Sequence, residues 1–113
     1  MGLLIVMTTM PDALSAEQLA DKLISGSLAA CVNILPAMQS IYCWQGERQQ
    51  GTEYQLIIKT SAIRYNEIEN FIKNNHPYEL PEIIALPVQH GLPAYMAWVT
   101  ETTREKNEPD AKN

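Results

Sequence analysis

The chain is 113 residues long, 46% hydrophobic and 19% charged, with a formal net charge of −5. Such a length folds as one domain around one core, and eight scattered Lys and Arg residues exclude nucleic acid, which needs clustered cations to displace its counterions. No apolar run approaches the ~20 residues that span a bilayer, and the start lacks the basic leader of a signal peptide; no membrane partner and a cytoplasmic location are expected.

Leu3 to Met7 is a short continuous apolar run that stops at Thr8-Thr9, which predicts a strand buried on both faces. Thr9 to Asp12 reads as a loop. A helix follows, with Ser15 as N-cap and Gln18 as its capping-box partner. Ala16, Leu19, Ala20, Leu23 and Ile24 repeat at helical spacing, and Gly26 suits the left-handed residue that ends a helix. Ala30 to Leu35 predicts a strand, Pro36 breaks its ladder, and Met38 to Trp44 continues extended.

Gln45 to Thr52 reads as a polar hairpin connection. Glu53 to Thr60 returns as a strand, with Tyr54, Leu56 and Ile58 on one face and Gln55, Ile57 and Lys59 on the other. Ser61 is placed to cap a second helix that runs to about Asn75 and buries Ile63, Ile68, Phe71 and Ile72. Ile83 to Val88 predicts the next strand. Pro93 suits the first turn of a third helix, whose apolar residues are Tyr95, Met96, Trp98 and Val99. Residues 1–103 form the expected domain, and 104–113 a flexible charged tail.

This order is the split β-α-β arrangement. The predicted class is α+β: a ferredoxin-like β-α-β-β-α-β sandwich with an extra C-terminal helix. Its second and third strands would form a long protruding hairpin. Ala30 to Trp44 extends roughly 45–50 Å at ~3.3 Å per residue, whereas a compact domain of this size is roughly 35 Å across. The overhang carries Met38, Ile41, Tyr42, Cys43, Trp44 and Tyr54, and an apolar two-stranded ribbon invites association. Alternatively, the strand ends at Pro36 and the remainder is an ordered loop. Cys31 and Cys43 would sit roughly 40 Å apart on one unbent strand, beyond disulfide reach, and read as free thiols in a reducing compartment.

Four segments carry a resemblance. They are His76-Pro77-Tyr78-Glu79-Leu80-Pro81-Glu82-Ile83-Ile84-Ala85-Leu86-Pro87, Ala29-Ala30-Cys31-Val32-Asn33, Ser40-Ile41-Tyr42-Cys43-Trp44-Gln45-Gly46 and Leu56-Ile57-Ile58-Lys59-Thr60. With them the chain resembles the CutA family of divalent-cation tolerance proteins over roughly residues 3 to 100. The resemblance implies the same ferredoxin-like fold, a cyclic homotrimer with interlocking ribbons, and a role in tolerance or response to divalent cations such as copper. It also implies that Trp44, Lys59, Tyr78 and Glu79 line a cleft between subunits with His76. Some members carry a cysteine and a second histidine where this chain has Thr8 and Asn75, so only His76 remains of that trio.

Each of these residues has a plainer reading beside the functional one. His76 is a candidate metal ligand, because imidazole binds borderline divalent ions, or a helix-end histidine that bonds free carbonyls. Cys31 is a candidate copper thiolate or a small buried hydrophobe. Lys59 ends a strand and is either solvated or paired with Glu79. Trp44 and Tyr78 serve equally as packing aromatics. A cleft of this composition suits a metal ion or a small anionic ligand, which leaves a signalling module like the trimeric nitrogen-regulatory proteins as the alternative. Neither a phosphate-binding glycine loop nor a Ser-His-Asp candidate is present, and no enzyme activity is expected.

Overall fold

The computed structural model describes residues 2–105. Its elements are β1 (Leu3–Met10), α1 (Ala13–Ser25), β2 (Cys31–Ile34), β3 (Met38–Trp44), β4 (Glu47–Ser61), α2 (Tyr65–Asn75), β5 (Ile84–Pro87) and α3 (Pro93–Thr102). The sheet order is β2-β4-β1-β5, and β3 pairs with β4 beyond the end of β2. All of these pairings are antiparallel. This is the ferredoxin-like arrangement that the element order predicts.

Register decides which face each residue takes. Val6 stands opposite Ile58 and Ala85, and Val32 also pairs with Ile58, so this row faces α1 and α2. There Val6, Leu56 and Ile58 pack with Ala16, Leu19, Leu23, Ile68 and Ile72 in the core. The opposite face carries Ile5, Met7, Ile57, Lys59, Cys31, Ile84 and Leu86. At one end α3 closes over it, where Ser61 Oγ and Thr103 Oγ1 share a buried 2.7 Å hydrogen bond. Ile84 and Leu86 remain exposed.

Several local expectations change. β1 does not stop at Thr8-Thr9: both pair with β4, opposite Leu56 and Gln55, because β-branched threonine fits a pleated strand well. The N-cap of α1 is Asp12, whose carboxylate accepts the Ser15 N–H at 2.7 Å; Ser15 itself lies inside the first turn. Gly26 has φ −86°, and Ser27 takes the left-handed conformation at φ 57°. A Cβ at Gly26 would lie 3.3 Å from Lys22 O, a tight approach that glycine relieves.

The polar connection from Gln45 to Thr52 is nearly all strand. Trp44 stands opposite Glu47, so only Gln45 and Gly46 make the turn, at φ 50° and 82°. Positive φ at both positions is the twist-matched two-residue hairpin turn. Ser61 does not cap α2 with its side chain, because its hydroxyl is committed to Thr103; a short 3-10 turn, Ala62–Arg64, leads in and leaves Ile63 exposed. In α3 only Val99 is fully buried, and Tyr95 and Trp98 are exposed. Of the expected tail, residues 106–113 lie outside the described residues.

The ribbon overhangs as its length predicts. The molecule measures 56 × 27 × 23 Å, with a radius of gyration of 15.3 Å against ~13 Å for a compact chain of this length. On it Ile41 is 60% exposed and Tyr42 52% exposed.

Candidate functional site

The site is built where the ribbon leaves the core. Pro77 forces His76 out of helix, and His76 ends α2 in extended backbone at φ −97°, ψ 138°. Its ring then reaches back to the end of β1. His76 Nε2 lies 2.6 Å from Thr9 O, and Nδ1 accepts the Tyr78 N–H at 3.1 Å. An accepting Nδ1 leaves the proton on Nε2, which therefore donates to Thr9 O. Both ring nitrogens are thus used by the fold, and a metal would have to displace one of these bonds. The helix-end reading also shifts, since the carbonyl His76 bonds belongs to β1 and not to α2.

This clamp sets the Pro77–Glu82 turn against the ribbon base. A broad open cleft of about 710 Å³ forms between them, lined by Trp44, Tyr42, Tyr78, Glu53, Glu79 and Glu82 among others. Two of the carboxylates are held by neutral donors: Thr9 Oγ1 donates to Glu53 Oε2 at 3.0 Å, and Gln55 Nε2 to Glu82 Oε2 at 3.3 Å. The Tyr78 phenol is pushed up to about 12, first by burial and then by its hydrogen bond to the Glu53 carboxylate. Its ring stacks at a tilt on His76, with centroids 4.8 Å apart. Among the described residues, no Lys or Arg lines the cleft.

The structure therefore joins three of the sequence-predicted cleft residues, Trp44, Tyr78 and Glu79, and places His76 behind them as their support. Lys59 is elsewhere. It stands six residues along β4 from Glu53, ~20 Å at strand spacing, opposite Cys31 and Ile5. It makes no ion pair with Glu79 within the chain. Cys31 shares that distant position and contacts Asn33 Oδ1 at 3.8 Å. Cys31 and Cys43 are both free. Thr8 is buried in the core with an unpartnered hydroxyl, while Asn75 bonds Phe71 O at the surface.

Sequence reasoning missed Thr9, Tyr42, Glu53 and Glu82. Extending the alternation of β4 backwards by one pair was the available signal for Glu53, which shares the face of Gln55 and Ile57. Glu82 sits in the same turn as Tyr78 and needed no further signal than proximity. Among the described residues, no group of three or more His, Cys, Asp or Glu converges as a metal centre requires, so a resident metal does not fit the residues present.

Comparison with known proteins bears on the whole domain. A family model described as CutA1 divalent ion tolerance protein matches residues 4–102. The chain is 38% identical over 100 residues to the divalent-cation tolerance protein CutA of Salmonella newport, covering 88% of this chain and 87% of that one. It is 41% identical over 102 residues to the chloroplastic protein CutA 1 of rice, covering 90% of this chain but only 58% of the rice protein's length. The solved structure of the divalent cation tolerance protein Cut A1 of Thermus thermophilus superposes with a TM-score of 0.88 at 39% identity, covering 90% of this chain and 99% of that one.

Proposed function

We propose, for a chain that belongs to the CutA1 divalent ion tolerance family, that it acts in tolerance or response to divalent cations by weak, charge-driven association at the ribbon-base cleft. One observation carries this reading: among the described residues, Glu53, Glu79 and Glu82 line the cleft and no basic residue does. Carboxylates attract divalent ions through their field without a closed coordination sphere. The ion is cargo in this proposal, copper included, and His76 contributes only where its bond to Thr9 O opens. An anionic metabolite, the alternative ligand, would meet three carboxylates with no compensating charge.

The working unit we propose is a homotrimer, in which neighbouring subunits cover Ile41, Tyr42 and the exposed sheet residues Ile84 and Leu86. The role is binding, not catalysis. Free thiols at Cys31 and Cys43 suit a reducing compartment, which supports a cytoplasmic location.

Equilibrium dialysis with copper and with zinc tests the reading. The double variant Glu79→Gln, Glu82→Gln is expected to bind each ion several-fold more weakly than the wild type, and His76→Ala, which loosens the turn but removes no carboxylate, to weaken binding less. Copper affinity that collapses in His76→Ala and survives in the carboxamide variant would move the site to the imidazole. Light scattering on the same preparations is expected to give three times the chain mass; a monomer at micromolar concentration would remove the trimer.

A further inference from the structure

The sheet face opposite the helices is charged at both ends and apolar between them. At the α3 end a row across the strands runs Cys31, Lys59, Ile5 and Leu86, and the next row adds Ile57 and Ile84. Lys59 is half-buried there and makes no ion pair among the described residues. The same face of β4 reaches the ribbon at Glu53, beside Glu79 and Glu82. Glu53 and Glu82 are held by the Thr9 hydroxyl and the Gln55 amide. Glu79 has no ion-pair partner among the described residues.

Neither end can neutralise the other within one chain. Lys59 and Glu53 are six residues apart on β4, ~20 Å at strand spacing, and exposed charges are screened beyond ~8 Å at about 0.15 M salt. A second copy removes that distance. Apolar surface alone laid over the middle of the face would take water from the Lys59 ammonium and give it no partner, a desolvation cost that apolar contact does not offset. The ribbon end joins uncompensated carboxylates to exposed apolar side chains, Ile41 and Tyr42. It therefore matches the Lys59 end in both charge and apolar surface.

We infer that the open sheet face docks the ribbon end of a second copy, with Lys59 of one subunit paired to Glu79 of the partner subunit. Lys59 and a divalent cation then compete for the same carboxylates, so assembly and cation binding oppose each other at this contact. The inference rests on the homotrimer and on the cation-attracting cleft. One ammonium against three carboxylates leaves the cleft negative, so it still draws cations.

Zinc dialysis on the assembled protein, in about 0.15 M salt, tests the competition. Lys59→Gln removes the ammonium and should bind zinc roughly two- to five-fold more tightly than wild type, the range of a partly exposed ion pair. A lone subunit predicts no change, because ~20 Å of strand separates Lys59 from the cleft. Unchanged or weaker zinc binding in Lys59→Gln overturns the competition.

Sedimentation without metal tests the pairing itself. Lys59→Glu and Glu79→Lys should each raise the concentration at which the trimer dissociates by about ten-fold or more, since like charges then face each other. The double variant Lys59→Glu, Glu79→Lys should recover most of that loss. A double variant that dissociates as readily as the weaker single variant overturns the pairing. None of these changes touches the core on the helix side, and Lys59→Gln probes the same contact without reversing a charge. The outcomes separate the readings. A wild type that sediments as a monomer removes the trimer, and this contact with it. A trimer whose charge swap shows no recovery removes this contact alone. Zinc that fails to bind wild type removes the divalent-cation reading, while the charge swap still decides the pairing.

Discussion

The two halves of β4 are one continuous strand in two different environments. From Leu56 to Thr60 its alternate residues are fully buried between β1, β2 and the helices. From Glu47 to Thr52 it pairs only with β3, and its residues are mostly exposed. The inner half owes its order to apolar burial within the chain. The outer half has a ladder of hydrogen bonds, a tight turn and polar cross-strand contacts such as Gln50 to Gln39 at 3.2 Å, but little core. A two-stranded ribbon of that kind is marginal alone. The candidate cleft forms where the two halves meet, at Glu53, so its lining is anchored to the core on one side and to the ribbon on the other.

The sharpest contrast comes from matched truncations. Leu56→Ala should cost ~2–5 kcal/mol in chemical denaturation, the range for a buried leucine, whatever the protein concentration. Ile41→Ala should leave the unfolding of dilute subunits near wild type and instead raise the concentration at which the proposed trimer dissociates, read by sedimentation. A large concentration-independent loss from Ile41→Ala would mean that the ribbon is as self-sufficient as the core.

A smaller effect probes the inner half from within. Thr8 is buried on the helix-facing side with no partner for its hydroxyl. Thr8→Val keeps the shape and removes the unsatisfied group, and should raise stability by ~1 kcal/mol. A loss of stability instead would show that the hydroxyl has a bond partner in solution.

The smallest effect lies at the junction. The folded state favours the neutral phenol of Tyr78, whose pKa is about 12 against an unfolded value near 10. That contribution is complete below pH ~10 and is lost as pH rises towards 12. The difference between the absorbance titrations of wild type and Tyr78→Phe should therefore isolate one phenol ionising near pH 12. A phenol that ionises near 10 would mean that Glu53 and Tyr78 do not share the cleft.

Periodicity was enough for the α+β class, the order of elements and most of the core. Alternation and helical spacing reflect a constraint that each residue carries locally, namely which side must be dry. Leu56, Ile58, Leu19, Leu23, Ile68 and Ile72 were all legible on that ground. The overhang followed from length alone, and the motif around His76 was legible as a segment with more chemistry than a turn requires. Local signals failed where two candidates competed for one task. Asp12 displaced Ser15 as the cap, and Ser27 displaced Gly26 in the left-handed position, because a neighbour with better geometry took the role.

The site needed the fold. Trp44, Tyr78 and Glu79 meet because β3 and the turn after α2 are brought side by side across the 33 residues between Trp44 and Tyr78, and within the same chain strand spacing carries Lys59 ~20 Å away. The role of His76 was decided in the same way. Its sequence neighbours give it an extended backbone, but only tertiary packing brings Thr9 O within 2.6 Å. A carbonyl from one strand and an amide from one turn occupy the two nitrogens, and which partners a side chain meets across the fold is not written in its neighbours along the chain.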